Sequence, residues 1–222
     1  MKYLAFIPAR KNSKRLKKKN IVKINKKTLV ELAINSIKNI KKITKVVISS
    51  DDEQILKKQF LYNSKKFFFL KRKKILSTDT ASLECVLLDY LLNDKSANQP
   101  ENIVLLQPTS PLRNWRHIQD AIKFFEDNKY DSILSGYEDK AFIWNMNTKK
   151  SLTYNYKSRK NSQFMDRYFF ENGAIFIFNK KFFLKKKNRL FGKIGFYIMN
   201  KYNSIDIDDK EDLKIARKLY NK

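Results

Sequence analysis

The chain has 222 residues and a formal net charge of +26, with 48 lysines and arginines against 22 acidic residues. This length suits one domain with a single core and is short for two, so we expect one domain over residues 1–222. The hydrophobic fraction of 42% is typical of a folded protein. No apolar run approaches the roughly 20 residues that cross a bilayer, so we expect no membrane partner.

The positive charge by itself favours a nucleic-acid partner bound through its phosphates. Lysine-rich segments, however, recur from Lys17 to Lys187 instead of forming one patch, which is typical of a solvated surface. The aromatic residues fall mostly in apolar strands, as in Phe67 to Phe69, whereas an RNA-binding module needs them beside its cations. We therefore expect no specific nucleic-acid partner. A noncatalytic, basic nucleic-acid-binding protein is nevertheless kept as an alternative to an enzymatic function.

Cysteine and histidine are almost absent. Cys85 is the single cysteine, which excludes an internal disulfide and a zinc site built on thiolates. His117 is the single histidine, and we interpret it as a surface or packing residue instead of a general base. Met1 leads directly into strand-like sequence without the regions of a secretory signal, which favours a cytoplasmic protein.

Short apolar runs alternate with helical periodicity through the first 136 residues, which is the pattern of βα units around a parallel sheet. The stretch at about 137–170 breaks this pattern, because it is polar and aromatic without clear periodicity, and we interpret it as an insertion. The predicted fold class is α/β with a mostly parallel central sheet. The predicted strands are 3–7, 46–49, 67–70, 103–106, 132–135, 174–178 and 196–199, and the predicted helices are 29–40, a short one capped at 51–52, 82–92, 115–128 and 210–219.

A basic, polar loop follows the first predicted strand. In a doubly wound sheet that strand delivers its loop to the carboxyl edge, where ligands bind. The planar guanidinium of an arginine can bind a phosphate through two hydrogen bonds. The ammonium group of a lysine supplies a point charge that stabilises the negative charge on a leaving pyrophosphate. The loop lacks the glycines of ordinary phosphate loops, and a solvated turn is the alternative. The residues that it offers to a nucleotide triphosphate are Arg10, Asn12, Ser13, Lys14, Lys19 and Asn20.

Two further polar segments follow predicted strands. Arg72 precedes the segment from Ser77 to Ser82, whose hydroxyls suit the N-cap of the next helix. An exposed helix N-terminus beside an arginine can also read the acceptor edge of a pyrimidine. The segment QPTSPLR, residues 107–113, follows a buried strand, where an α/β enzyme places substrate contacts, and the alternative is a proline-bracketed turn. We assign Gln107 to an acceptor substrate.

Near the end of the chain, Asp206 and Asp208 are two residues apart. In an extended strand this spacing puts both carboxylates on one side, and oxygen ligands of this kind suit Mg²⁺. The alternative is a capping box for the last helix, formed by Asp208 and Glu211. The spacing alone leaves both interpretations open.

Together these segments resemble the motifs of the CMP-N-acylneuraminate synthetases. The resemblance covers IPARKNSKRLKKKNI in the first loop, a DTAS segment with an arginine seven residues before its aspartate, LLQPTSPLR, NGAI and SIDID, in the family's order from Ile7 to Leu213. It implies the three-layer Rossmann-like nucleotidyltransferase fold of the nucleotide-diphospho-sugar transferase type. It also implies a Mg²⁺-dependent reaction of CTP with a nonulosonic (sialic-type) acid, giving a CMP-sugar and pyrophosphate, in a homodimer joined through 137–170.

The resemblance also implies roles for individual residues. Arg10, Lys14 and Asp206 take catalytic roles, and Asp206 and Asp208 bind the metal. Members of the family commonly carry an arginine upstream of the NGAI segment for the sugar carboxylate, where this chain has Ser162, and Arg159 or Arg167 could replace it. A 3-deoxy-manno-octulosonate cytidylyltransferase is the alternative within the same fold. The implied nucleotide contacts are Arg10, Asn12, Ser13, Lys14, Lys19, Asn20, Arg72, Ala81 and Ser82, and the implied sugar contacts are Gln107, Asn172 and Gly173.

Overall fold

The computed structural model describes residues 1–62, 64–96, 99–159 and 161–220. The described residues form a seven-stranded sheet with the strand order β5-β4-β1-β6-β8-β7-β9. Strands β2 and β3 form a separate two-stranded sheet. The strands are β1 (Tyr3–Pro8), β2 (Lys23–Ile24), β3 (Lys27–Thr28), β4 (Ile43–Ser50), β5 (Phe67–Lys71), β6 (Asn102–Leu105), β7 (Ser132–Asp139), β8 (Tyr168–Asn179) and β9 (Ile194–Ile198). The α-helices are α1 (Leu29–Asn35), α2 (Glu53–Leu56), α3 (Leu83–Asn93), α4 (Trp115–Asp127), α5 (Lys180–Lys186) and α6 (Lys210–Tyr220).

The large sheet is parallel except at β8. Strand β1 pairs in parallel with β4 and β6, β4 with β5, and β7 with β9. Strand β8 is antiparallel to both β6 and β7, between which it lies. Because Leu105 of β6 pairs with Phe176, the residues of β8 before Phe176 extend past the carboxyl end of β6. The reversed strand thus carries its first half to the edge at which the parallel strands end.

Two apolar layers cover the sheet. Along β1, Tyr3, Ala5 and Ile7 face one layer, which includes buried residues of α1 and α4. Leu4 and Phe6 face the other layer, which includes buried residues of α3 and α5. This alternation follows from the two-residue period of a strand, and a strand buried on both faces reads as a continuous apolar run. The predicted α/β class with helices on both faces of a mostly parallel sheet is confirmed.

Side-chain caps set several helix starts. Asp52 caps α2 and Ser82 caps α3, each by accepting a backbone N–H of the first turn, as the sequence predicted. Asn114 caps α4 and exchanges hydrogen bonds with His117, whose Nδ1 accepts from the Asn114 N–H at 3.2 Å. His117 thereby has the structural role that the sequence interpretation assigned to it.

Some predicted boundaries are wrong. The helix predicted over 29–40 ends at Asn35, and α5 was not predicted. The strand predicted over 132–135 continues to Asp139, and β8 begins at Tyr168, six residues before the predicted start at Ala174. The excursion between the two strands therefore covers 140–167, of which Lys160 lies outside the described residues. Within the described ranges, no helix has the length and apolar character that a bilayer span requires.

We predict that Gly136→Ala destabilises the fold. Gly136 lies at the register shift between β7 and β8, and a Cβ there would be 2.2 Å from the Phe170 carbonyl oxygen and 2.4 Å from the Phe169 ring. Alanine therefore pushes β8 away from β7, at an expected cost of about 1–3 kcal/mol. Thermal and urea unfolding measure it, with Thr44→Ala at an exposed β4 position as the control, expected to change stability by less than about 0.5 kcal/mol. Equal stability of the two variants would contradict the prediction.

Candidate active site

A cavity of about 760 Å³ opens at the carboxyl edge of β1 and β6. Its walls come from the loop after β1, the segment between β5 and α3, and the segment after β6. Three predicted motifs that are far apart in sequence therefore meet in one cleft, as expected for the carboxyl edge of a parallel sheet. The predicted site residues that line it are Arg10, Ser13, Lys14, Lys19, Asn20, Arg72, Ala81 and Gln107.

Two cations of the first loop, Arg10 and Lys14, lie beside one carboxylate. Arg10 Nη1 lies 2.6 Å from Asp79 Oδ1, and Lys14 Nζ lies 3.1 Å from Asp79 Oδ2. The hydrogen bonds from Lys14 and Arg10 hold the pKa of Asp79 below its usual range. Because Asp79 is exposed at the cavity, both cations lie within reach of an anion that enters it. This geometry suits phosphate oxygens.

Side chains shape this loop in place of glycine. The Asn20 amide, which is 8% exposed, donates to the Arg10 carbonyl oxygen at 2.8 Å. The Lys11 N–H donates to Asp51 Oδ1 at 2.7 Å, and Lys18 adopts a left-handed backbone conformation with a φ of 54°. Asn20 is thus a brace of the loop as well as part of the cavity wall, whereas Asn12 is exposed and does not line the cavity.

Arg72 is buried and fixed to the end of β4. Its Nη2 donates to the Ser49 carbonyl oxygen at 2.9 Å and its Nε to Ser49 Oγ at 3.2 Å. Burial lowers the pKa of Arg72, and the carboxylate of Asp51 opposes that shift. At the start of α3, the Ala81 N–H donates to Thr78 Oγ1, so a ligand would compete for it. Ser82 is an exposed cap outside the cavity lining.

Arg113 holds the Gln107 side of the cavity together and was missed by the sequence analysis. Its Nη1 donates to the carbonyl oxygens of Gln107 at 2.9 Å and Ala174 at 2.7 Å, which joins the end of β6 to β8. Burial lowers the pKa of Arg113 to about 9. Gly173 has a φ of +65°, and a Cβ there would be 3.2 Å from Gln107 Nε2, so glycine leaves room for the Gln107 amide.

The side chain of Asn172 faces the protein interior. Its Oδ1 accepts from Ser135 Oγ at 2.6 Å and from the Ala174 N–H at 3.0 Å, and its Nδ2 donates to Ser204 Oγ at 2.9 Å. These bonds join β7, β8 and the start of the SIDID segment. Direct contact of Asn172 with a sugar stays a prediction.

The two carboxylates near the chain end have different surroundings. The Ile207 N–H donates to the Thr109 carbonyl oxygen at 2.8 Å, which fixes their segment beside the end of β6. Asp208 accepts from Lys19 at 3.0 Å and from Arg15 at 2.8 Å. Asp206 Oδ1 is buried and makes no hydrogen bond of good geometry, although the Thr109 hydroxyl lies beside the carboxyl group; burial raises the pKa of Asp206, and the Thr109 hydroxyl opposes that shift. The first loop and the SIDID segment are thus joined through Asp208.

This arrangement fits a divalent cation. A buried carboxylate oxygen without a partner is costly unless a cation or a donor satisfies it. Within the described residues no cluster of three or more His, Cys, Asp or Glu side chains forms, so a cation here would complete its ligands with phosphate oxygens and water. The capping role that the sequence offered to Asp208 is filled by Asp209 at the start of α6. Its Oδ1 accepts from the backbone N–H groups of Glu211 and Asp212 at 2.8 and 3.0 Å.

Arg189 and Glu84 also line the cavity and form an ion pair of 2.9 Å. The sequence analysis missed both, since Arg189 lies in a lysine-rich segment without a motif and Glu84 lies in the first turn of α3, where an acidic residue is common for structural reasons. The two arginines proposed from sequence for the sugar carboxylate lie elsewhere. Arg167 pairs with Glu138 at 3.1 Å, and Arg159 stacks on Phe142 at 4.1 Å from the ring centre.

Comparison with known proteins shows the family of this chain. The sequence model of one family, described as cytidylyltransferase, matches residues 4–222. The chain belongs to the cytidylyltransferase family. An N-acylneuraminate cytidylyltransferase of Escherichia coli O18:K1:H7 is 31% identical over 97% of this cytidylyltransferase chain and 51% of its own length. A pseudaminic acid cytidylyltransferase of Campylobacter jejuni is 31% identical over 99% of this chain and 97% of its own length.

This cytidylyltransferase chain spans about half the length of the N-acylneuraminate cytidylyltransferases that it matches. Among solved structures, a CMP:2-keto-3-deoxy-manno-octonic acid synthetase complexed with CTP has a TM-score of 0.71 at 14% identity, over 100% of this chain and 99% of that one. A 4-diphosphocytidyl-2C-methyl-D-erythritol synthase from Anaerococcus prevotii has a TM-score of 0.71 at 12% identity, over 100% and 96% of the two chains. These structural likenesses show the fold alone.

We predict that Arg10→Ala weakens CTP binding about tenfold to a hundredfold, because a charge-assisted hydrogen bond contributes about 1.5–3 kcal/mol. Lys17→Ala is the matched control, since Lys17 is an exposed lysine of the same loop that does not line the cavity. We expect it to change the Kd less than about twofold. Calorimetric titration at fixed ionic strength measures both, and equal losses in the two variants would show that only the net charge of the loop matters.

Proposed function

We propose that this protein transfers CMP from CTP to a nonulosonic acid of the sialic type and releases pyrophosphate. One observation carries the proposal, namely that a single cavity gathers Arg10 and Lys14 of the first loop, Arg72 beside α3, and Gln107 after β6. The named activities of the Escherichia coli and Campylobacter relatives support it.

On this proposal the first loop binds the triphosphate. Arg10 and Lys14 exchange the Asp79 carboxylate for phosphate oxygens and stabilise the charge that develops on the leaving pyrophosphate. Lys19 adds a third cation beside them. Arg72 and the start of α3 bind the cytosine, where the buried guanidinium is already oriented by Ser49. The exchange of one anion for another costs little reorganisation, because the cations are already in place.

The acceptor lies on the β6 side of the cavity. Gln107 orients the sugar so that its anomeric hydroxyl attacks the α-phosphorus in line with the departing pyrophosphate. Arg113 fixes the backbone of Gln107, and Gly173 leaves space for the Gln107 side-chain amide. The contact between Gln107 and the sugar is therefore supported by buried structure and not by a free loop. Such positioning lowers the barrier because the reacting groups meet already aligned.

We further propose that Asp206 and Asp208 hold a Mg²⁺ ion, which when bound neutralises charge on the triphosphate. The buried oxygen of Asp206 without a partner supports this assignment. Arg15 and Lys19 pair with Asp208 and hold its carboxylate close to the first loop.

We also propose a homodimer formed through the excursion at 140–167, in a cytoplasmic protein. The excursion presents large apolar side chains to solvent although its own aromatic residues contact one another. Exposed apolar groups of this kind mark an interaction surface. The exposed side chains are Phe142, Trp144, Met146, Leu152, Tyr156 and Phe164.

The test of the proposed reaction is pyrophosphate release from CTP and Mg²⁺ with a panel of nonulosonic acids and 3-deoxy-manno-octulosonate. We expect release with at least one nonulosonic acid, and at least tenfold less with ATP, GTP or UTP in place of CTP. Release only with 3-deoxy-manno-octulosonate would replace the proposed acceptor. Absence of release across the panel, together with absence of CTP binding, would overturn the enzyme assignment.

The metal assignment predicts that Asp206→Asn and Asp208→Asn each weaken Mg²⁺ binding to the CTP complex at least about tenfold, because each removes an anionic ligand. Asp209→Asn is the matched control, since asparagine keeps the cap of α6 and Asp209 is outside the proposed ligand set. Calorimetry with a nonhydrolysable CTP analogue, and Mn²⁺ resonance as a second readout, measure binding apart from turnover. An unchanged titration for Asp206→Asn would rule out that ligand.

A further inference from the structure

The cavity residues follow the order of the strands across the sheet. Arg72 follows β5 at one side, Arg10 follows β1 in the middle, and Gln107 follows β6. Strand β8 comes next, with Gly173 against the Gln107 amide. Under the proposed function, this order of residues across the sheet places the base, the triphosphate and the acceptor one after another. The far side of the cavity, next to β8, is therefore the acceptor end.

Arg189 is the cation at that end. It lies between α5 and β9, and its guanidinium carbon is 4.5 Å from the ring centre of Phe176 in β8. Glu84, in the first turn of α3, also lines the cavity, and its Oε1 is 2.9 Å from Arg189 Nη1. The aromatic ring and the carboxylate hold the planar guanidinium in place, while 24% of the side chain stays exposed.

The other arginines of the cavity and its surroundings have different partners. Arg10 and Arg15 pair with Asp79 and Asp208 on the nucleotide side. Arg72 donates to Ser49, and Arg113 is buried against backbone carbonyls. Among the described ion pairs of Arg189, Glu84 occupies a single terminal nitrogen, and a guanidinium has five N–H donors.

We propose that Arg189, held by Glu84, binds the carboxylate of the acceptor acid within the same subunit. The inference rests on the proposed function, because a nonulosonic acid carries a carboxylate on the carbon that bears the attacking hydroxyl. A planar guanidinium suits a carboxylate through two parallel hydrogen bonds, and this contact fixes the rotation of the sugar about the reacting carbon. Arg189 then selects acids over neutral sugars in the cleft.

The alternative is that the Arg189–Glu84 pair only fastens the loop after α5 to α3. The two interpretations differ in substrate selectivity. A purely structural pair affects stability, or both substrates equally. A carboxylate ligand affects the acceptor alone and loses its effect when the carboxylate is replaced by a carboxamide.

The experiment uses wild-type protein and the variants Arg189→Gln, Arg189→Lys, Arg167→Gln and Arg116→Gln, with the acid that the wild type turns over and its carboxamide analogue. Arg116 is an exposed arginine of α4 outside the cavity lining, so Arg116→Gln controls for the loss of one charge. We expect Arg189→Gln to raise the KM for the acid at least tenfold, to leave the Kd for CTP within twofold, and to abolish the preference for acid over carboxamide. Arg189→Lys keeps part of that preference.

The preference is a ratio measured within each variant, so it is independent of any loss of folded protein. An unchanged preference in Arg189→Gln would overturn the inference while leaving the proposed function intact. Loss of the preference in Arg167→Gln but not in Arg189→Gln would overturn it in favour of an arginine on the excursion. Absence of turnover in the wild type with every acid would overturn the proposed function, and the inference with it.

Discussion

The reversed direction of β8 is the constraint on which the site depends. In a wholly parallel sheet, every strand brings only its carboxyl end to the ligand edge. Because β8 runs against β6 and β7, it carries Asn172 and Gly173 to that edge from the opposite direction. The buried guanidinium of Arg113 then joins the two sides by donating to carbonyl oxygens of the β6 segment and of β8. The side of the cavity that contains Gln107 thus rests on backbone contacts that are shielded from water.

Charge in and beside the cavity is organised in small groups in which one carboxylate pairs with one or two cations, in contrast to the scattered lysines of the surface. Asp79 gathers two cations, Asp208 gathers two more, and Glu84 holds Arg189. Cations held in this way remain oriented without ligand, and a phosphate or carboxylate that enters finds donors already aimed at it. One oxygen of Asp206 is buried without a partner, which is informative because burying a carboxylate oxygen in this way is costly.

Local sequence predicted what depends on local chemistry. The hydroxyl of Ser82 before an apolar helix predicted the cap of α3, and the two-sided apolar run of β1 predicted a buried central strand. The motifs around Arg10, Arg72 and Gln107 were each expected at a strand end, and the parallel sheet brings them into one cavity. The predicted helix over 29–40 extended too far because apolar periodicity continues through Ile37 and Ile40, which are buried in turns after Asn35.

The fold class, the family motifs and the candidate phosphate-binding residues could be predicted from the amino-acid sequence, because strand periodicity, capping and motif spacing are properties of neighbouring residues. The direction of β8, the burial of Arg113 and the contact of Arg189 with Glu84 are visible in the folded chain alone. Each of these depends on partners that are distant along the chain, such as Arg113 with Ala174 and Arg189 with Glu84. No local pattern records them, since a strand has the same two-residue period in either direction and a lysine-rich segment does not reveal which of its cations faces a cavity.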